Sequence, residues 1–281
     1  MKIGVSTYSF KKYMTASGCS LFDVCDKAKE LGFEGIDFIE IPAESQEERL
    51  ETAKKLREKC ESLGLPIAAY TVGANFLADD IEAEKQRLRN CVDICEALGA
   101  PVMRHDVASA LRKRPLYSYR QAIPEMAPHI REISLYAKQK GIKTCSENHG
   151  YVFQDPHRVE ALILAVNEPN YGWLCDIGNF LCADCDPANS VAIAAQYTIH
   201  AHVKDFLFKS GDGRAPVGFF RTNGGNYLRG TVIGHGVVPV ERCIGILKKA
   251  GYDGCLSVEF EGAEENLPAL KDGLAFLKQI V

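Results

Sequence analysis

The chain has 281 residues, of which 46% are hydrophobic and 25% are charged, so it holds enough apolar material for the core of one large domain. Its net charge of −4, without a dense run of Lys and Arg, argues against a nucleic-acid-binding protein. No apolar run approaches the length of a membrane span, and the N-terminus lacks the basic and apolar regions of a signal peptide. The 11 cysteines are therefore expected to be reduced thiols in the cytoplasm.

Short β-rich runs alternate with longer amphipathic runs along the whole chain. The predicted strands are residues 2–7, 35–38, 66–70, 102–105, 143–146, 172–175, 200–203 and 256–258. The helices predicted to follow them are residues 21–31, 46–63, 81–98, 119–140, 156–166, 187–197, 239–250 and 267–279. Several helices end in glycine, as in ELGFEG and KQKGIK, which is typical of a left-handed cap before the next strand. Eight strand–helix pairs predict an α/β protein with a closed (β/α)8 barrel, a single TIM-barrel domain over residues 1–281.

One segment departs from this alternation. Residues 205–236 are rich in glycine and carry Phe219, Phe220 and Arg221. A loop of this length in a compact fold is usually functional or disordered. We interpret it as a lid over the site rather than a disordered segment.

Four of the predicted strands end on a residue that can hold a divalent metal. These are Glu147 in IKTCSENHG, Asp176 in YGWLCDIGN, His202 in TIHAHVKD and Glu259 in CLSVEFEG. Ligand-binding residues of such barrels gather at the carboxyl ends of the strands, so the four side chains are expected to meet there. Three carboxylates and one imidazole suit one ion of Mn, Mg, Co or Zn, and such an ion would offset their mutual repulsion. Taken singly, each could instead be a surface acid or a helix cap.

Other polar residues fall near the same predicted rim. Substrate-hydroxyl recognition or proton relay is assigned to His149, Lys204, His105, Glu40 and Tyr70. The alternative for each is a cap, a turn or a solvated charge. His200 lies two residues before His202 and shares its face one layer deeper, where a packed or hydrogen-bonded histidine is expected.

The motifs SENHG, CDIGN, HAHVKD and SVEFEG resemble those of the sugar-phosphate isomerase/epimerase family of xylose-isomerase-like barrels. That family includes ketose 3-epimerases, inosose dehydratase and inosose isomerase, with the apurinic endonucleases as more distant relatives. The resemblance extends from MKIGVSTYSF at the N-terminus to the SVEFEG segment. It implies that Glu147, Asp176, His202 and Glu259 hold one divalent metal, and that Glu147 and Glu259 are also the acid/base pair.

One position departs from the family pattern. Asn179 in CDIGN stands where much of the family has a histidine, three residues after the aspartate ligand. Asparagine still offers hydrogen bonds to a sugar hydroxyl, so Asn179 is assigned to substrate binding, but it cannot hold a proton as imidazole does. This departure, with 7 histidines in all, argues against the multinuclear zinc site of the apurinic endonucleases.

The resemblance implies a metal-dependent isomerase or epimerase that acts on a ketose, an inosose or a related small sugar through an enediolate. The alternative on the same scaffold is a lyase that dehydrates a keto-inositol or cleaves a keto-glycoside. A ligand-binding barrel without activity is the non-enzymatic alternative, and a lack of bound metal would favour it. The expected partner is a small sugar or cyclitol, with no nucleic acid and no membrane, and a homo-oligomer is left open because nothing in the sequence locates an interface.

Overall fold

The computed structural model describes residues 1–108 and 110–281. Within them, eight parallel strands close into a barrel in the order β1-β11-β7-β6-β5-β4-β3-β2. Their bounds are β1 Lys2–Ser6, β2 Gly35–Ile39, β3 Ile67–Val72, β4 Val102–His105, β5 Lys143–Glu147, β6 Tyr171–Asp176, β7 Thr198–Val203 and β11 Cys255–Val258. The predicted TIM barrel is confirmed.

Helices cover the outside of the barrel. They are α1 Lys11–Ser17, α2 Leu21–Leu31, α3 Gln46–Leu63, α4 Ile81–Leu98, α5 Tyr119–Lys138, α6 Pro156–Val166, α7 Pro187–Ala194, α8 Val240–Lys249 and α9 Asn266–Ile280. The sequence did not predict α1, which follows β1 after a short 3-10 turn over Thr7–Phe10. The predicted left-handed glycine caps are present, for example at Gly32 with φ 93° and Gly64 with φ 58°.

The interior of the barrel changes from apolar to charged along its axis. A small apolar cluster of Ala69, Val102, Cys145 and Leu174 occupies one level. Residues two further along the same strands point to the same side, because side chains alternate along a strand. Those positions are Thr71, Arg104, Glu147 and Asp176, so the level nearest the carboxyl ends of the strands is polar. The site is built at that level.

A second sheet lies within residues 205–236, where the sequence predicted a loop. Strands β8 Asp205–Lys209, β9 Phe220–Arg221 and β10 Tyr227–Thr231 form an antiparallel sheet in the order β8-β10-β9. The carboxylate of Asp205 accepts backbone N–H groups from Phe206, Gly234, Gly236 and Val238 at 2.8–3.1 Å. Asp205 therefore ties the beginning of this sheet to the segment that precedes α8.

Among the residues that the structure describes, none of the helices is both long enough and apolar enough to cross a membrane.

Candidate metal centre

The four predicted metal ligands lie together at the carboxyl ends of four adjacent barrel strands. Glu147 ends β5, Asp176 ends β6, His202 lies near the end of β7 and Glu259 directly follows β11. One ligand atom from each lies within 4.8 Å of the corresponding atoms of the others. The four residues are far apart in the sequence, but their strands are neighbours in the closed barrel. The convergence predicted from the strand ends is therefore present in the structure.

Unpaired polar atoms point into this cluster. The Nδ1 atom of His202 lies 3.7 Å from Glu147 Oε1 and 3.7 Å from Glu259 Oε1. Among the described residues, neither His202 Nδ1 nor Asp176 Oδ2 has a hydrogen-bond partner, although both are buried. Buried polar atoms normally have a hydrogen-bond partner, so the lone pairs of these two atoms are available to bind a cation. Three carboxylates and one imidazole nitrogen are a donor set that fits a single divalent cation of the Mn, Mg, Co or Zn type.

The charges around the cluster also favour a cation at this position. Burial raises the pKa of Asp176 to about 6, with Glu147 and Glu259 adding to the effect. Burial would lower the pKa of His202, but Glu259, Asp37 and Glu147 raise it well above its ordinary value. The carboxylates around His202 therefore stabilise a positive charge at this position, either a proton on the imidazole or a metal ion.

In each of the two glutamates, one carboxylate oxygen faces the cluster and the other contacts a basic side chain. Arg104 Nη2 lies 2.6 Å from Glu147 Oε2, and Lys204 Nζ lies 2.7 Å from Glu259 Oε2. Burial opposes ionisation of both carboxyls, but Arg104 holds the pKa of Glu147 well below its usual value and Lys204 lowers that of Glu259. Both glutamates are thus held ionised with their Oε1 atoms turned toward His202.

A cavity of about 380 Å³ opens above the cluster. Its lining includes six of the residues assigned from the sequence, which are Glu40, Glu147, His149, His202, Lys204 and Glu259. The other lining residues were not singled out by the sequence analysis: Tyr8, Lys11, Ile39, Thr71, Val72, Gly73, Arg104 and Glu261. The volume is large enough for a small sugar.

Two predicted polar residues lie next to the cluster, and one of them, Asn179, contacts it directly. Asn179 Nδ2 donates to Glu147 Oε1 at 3.0 Å, and Asn179 Oδ1 accepts from Lys204 Nζ at 3.3 Å. His149 is half-exposed, and its Nδ1 lies 2.9 Å from Asp106 Oδ1. Partial burial disfavours the charged form of His149, but Asp106 and Glu147 raise its pKa above the ordinary value. Asn179 therefore holds a ligand in place, whereas His149 faces the cavity as an ionisable group.

Two other predicted substrate-binding residues lie outside the cavity. Tyr70 is completely buried in β3, and its neighbour Thr71 lines the cavity instead. His105 is completely buried in β4 with its ring against Phe76 and Tyr171, at centroid distances of 5.2 and 5.8 Å. Successive side chains of a strand point to opposite faces, so a shift of one residue decides which one reaches the cavity. Tyr70 and His105 are therefore not positioned to contact a substrate there.

Two charged residues inside the barrel were missed by the sequence analysis. Asp37 lies in the apolar strand segment GIDFI, and Arg104 lies in VMRH. A charged residue within an apolar strand is a signal that could have indicated them, because charges are rarely buried without partners. His200, expected to be hydrogen-bonded rather than a ligand, has its Nε2 atom 2.7 Å from Asp37 Oδ2.

Solved structures with the same barrel include several enzymes. The probable 3-DHS dehydratase AsbF of Bacillus anthracis is 19% identical with a TM-score of 0.76, covering 99% of this chain and 99% of that chain. The IOLI protein with a bound zinc atom is 16% identical with a TM-score of 0.75, covering 100% and 99% of the two chains. D-allulose 3-epimerase of Methylomonas sp. is 19% identical with a TM-score of 0.73, covering 100% and 98%. At these identities the likeness shows the fold alone.

The sequence itself also identifies the family. No curated protein matches this chain significantly. The family described as xylose isomerase-like TIM barrel matches residues 25–280, which is nearly the whole chain. The chain therefore belongs to the xylose isomerase-like TIM barrel family.

Proposed function

We propose that this protein is a divalent-metal-dependent isomerase or epimerase that acts on a ketose, an inosose or a related small sugar through an enediolate. The observation that carries the proposal is the cluster of Glu147, Asp176, His202 and Glu259 beneath a cavity of about 380 Å³. D-allulose 3-epimerase, which has the same fold, is consistent with this class of reaction.

In this proposal the two glutamates act as the acid/base pair. A bound divalent ion would supply Lewis-acid stabilisation of the negative charge that develops on the substrate oxygens. Glu147 and Glu259 enter from β5 and β11, which are separated in the barrel by β6 and β7, so they reach a bound sugar from different directions. One carboxylate removes the proton next to the carbonyl and later releases it to solvent, while the other takes a proton from solvent and donates it to the opposite face of the same carbon for epimerisation. Return to the neighbouring carbon gives isomerisation.

The cavity favours an uncharged polyhydroxylated substrate. Its charged lining residues are the acids Glu40, Glu147, Glu259 and Glu261 and the basic residues Lys11, Arg104 and Lys204, with the imidazoles of His149 and His202 as further ionisable groups. Arg104 and Lys204 already pair with Glu147 and Glu259, so most of the positive charge is committed to the protein's own carboxylates. Carboxylates accept hydrogen bonds from sugar hydroxyls, whereas they repel a phosphate group.

A lyase is the second candidate, and His149 is the observation that favours it. His149 lines the cavity, and its raised pKa keeps a proton available for a departing oxygen. Loss of a β-hydroxyl or of an aglycone needs such an acid in addition to the base that removes the proton. The dehydratase AsbF has the same fold.

The small sheet β8-β10-β9 is a candidate lid for this site. The hydroxyl of Tyr151, on the loop after β5, donates to the carbonyl of Arg221 in β9 at 3.1 Å. This contact joins the sheet to the loop that carries His149.

We further expect a cytoplasmic protein, since the described cysteines are all free thiols.

Metal analysis and isotope exchange test the proposal. The purified protein is expected to contain a divalent metal, and a panel of ketoses and inososes in deuterated water is expected to show deuterium incorporation with every substrate oxygen retained. Loss of water or of an aglycone would select the lyase instead. Phosphorylated and free forms of each sugar belong in the panel, and the free form is expected to react faster. Protein without metal and without exchange on any substrate would overturn the proposal.

A further inference from the structure

A second layer of polar residues lies beneath the metal centre, inside the barrel. Asp37 of β2 is completely buried, and its Oδ2 atom lies 3.2 Å from His202 Nε2 and 2.7 Å from His200 Nε2. Strand β2 is separated from β7 by β1 and β11 in the barrel order. The carboxylate therefore reaches both histidines across the barrel interior.

We infer that Asp37 is a positioning residue that accepts the Nε2–H of His202 and so presents the Nδ1 lone pair to the metal centre. An imidazole that donates one N–H to a carboxylate has its tautomer and its ring orientation set, and its other nitrogen becomes a stronger ligand. The free nitrogen of His202 is the Nδ1 atom, which lies between Glu147 and Glu259 and has no hydrogen-bond partner among the described residues. The inference rests on the proposed function, because it assumes a metal at that centre.

A role in packing alone does not account for Asp37. Its second oxygen, Oδ1, is buried without a hydrogen-bond partner among residues 1–108 and 110–281. A buried acceptor without a partner is unfavourable, and an apolar side chain at this position would avoid that penalty. The carboxylate is explained by the histidines that it contacts through Oδ2.

His200 supplies a matched control. It contacts the same oxygen of Asp37 as His202 does and is also buried, but it is not one of the four residues of the metal centre. The variants Asp37→Asn and His200→Asn both disturb the buried cluster. Only Asp37→Asn removes the carboxylate from His202.

The experiment is titration of Mn²⁺ into the metal-free full-length protein, with free Mn²⁺ measured by electron paramagnetic resonance. Asp37→Asn is expected to raise the Kd for Mn²⁺ by about 10- to 100-fold, as is usual when the partner of a ligating histidine is removed. His200→Asn is expected to stay within about threefold of the unmodified protein, below the 10-fold at which the loss of a ligand's partner begins. Circular dichroism checks that each variant is folded.

A second measurement does not depend on variants. In the zinc-loaded protein, 15N spectra of the histidine side chains are expected to show His202 with zinc on Nδ1 and a proton on Nε2. The reverse arrangement would overturn the inference, and so would an Asp37→Asn Kd within threefold of the unmodified value or an equal loss in His200→Asn. Unmodified protein that takes up no Mn²⁺ would overturn the proposed function as well, so the two failures are distinguishable.

Discussion

The two halves of the barrel contribute differently to the site. Strands β5, β6, β7 and β11, which are neighbours in the barrel, carry Glu147, Asp176, His202 and Glu259. Strands β1 to β4 form the other half and carry none of these four residues. They contribute two of the groups that contact these ligands, Arg104 on Glu147 and Asp37 on His202. Two further groups, Lys204 on Glu259 and Asn179 on Glu147, lie in the ligand half itself.

The site is thus divided between residues that would bind a ligand and residues that position them. The ligand half presents its groups at the ends of the strands, where Glu147, His202 and Glu259 line the cavity. The supporting half presents Asp37 and Arg104 within strands, where both are buried and paired. Substitutions in the two halves are therefore expected to have different consequences, activity in one and stability or orientation in the other.

The largest effect is expected in the ligand half. Glu259→Gln and Glu147→Gln each keep the shape of the side chain but remove the charge and the proton-accepting oxygen. We expect the rate of deuterium exchange into substrate to fall by about 10²- to 10⁴-fold, the usual contribution of a general acid or base. The control is Glu265→Gln, an exposed acid in the segment after β11, which should leave the rate unchanged. Equal rates in Glu259→Gln and the control would remove Glu259 from the proposed mechanism.

The next effect concerns stability and lies in the supporting half. Arg104→Met removes the cation that contacts the carboxylates of Glu147 and Asp106, both within 2.7 Å of Arg104 Nη2. Leaving a buried carboxylate without its partner typically lowers the free energy of unfolding by about 3–5 kcal/mol. Urea unfolding of metal-free protein measures the change. A loss below about 1 kcal/mol, the range of an exposed ion pair, would mean that Glu147 does not depend on Arg104.

The third effect is a dependence of the free energy of unfolding on pH, caused by the buried His105 of β4. Burial lowers the pKa of His105 to about 4, below the ordinary value of 6.5. As the pH falls below 6.5, the unfolded chain binds a proton at His105 before the folded chain does, so stability falls until the pH nears 4. Between pH 7.5 and 4.5 this residue should remove about 2–3 kcal/mol from the free energy of unfolding, since one pKa unit corresponds to about 1.4 kcal/mol.

The control for that prediction is His105→Asn, which cannot titrate. Urea unfolding at both pH values gives the loss of stability for each protein, and the unmodified protein should lose more than the variant. Equal losses in the two proteins would show that His105 is not held neutral in the folded state.

The smallest effect compares two neighbours on β3. Tyr70→Phe should leave kcat/KM within about twofold of the unmodified value, because the Tyr70 side chain lies outside the cavity. Thr71→Val should raise KM by about two- to tenfold if its hydroxyl contacts the substrate, the range for one lost neutral hydrogen bond. Steady-state kinetics with the substrate found in the panel decides this. A larger loss in Tyr70→Phe than in Thr71→Val would contradict the assignment of the two faces.

The barrel and the four candidate ligands could be predicted from the sequence because both depend on local patterns. The alternation of strands and helices predicted the barrel, and the ends of all eight observed barrel strands lie within two residues of the prediction. In a parallel barrel all carboxyl ends meet at one rim, so a residue at a strand end has its place decided by topology. The positions of Glu147 and Asp176 at the rim could therefore be predicted from the strand ends alone.

The small sheet could not be predicted in the same way. Strands β8 and β10 are separated by a glycine-rich stretch, and their pairing depends on contacts between distant residues. Residues 205–236 were therefore predicted as a loop. Only the folded chain shows that Asp205 accepts four backbone N–H groups and holds the sheet to the segment before α8.

The closed barrel and the four residues that converge at its mouth follow from the amino-acid sequence, because strand periodicity and strand ends are local features. Tertiary structure alone decided that Thr71 and Arg104 face the cavity while Tyr70 and His105 do not. It also brought Asp37 to His202 from across the barrel. The physical reason is that one residue of strand register reverses the face of every side chain, and that register is set by pairing with neighbouring strands.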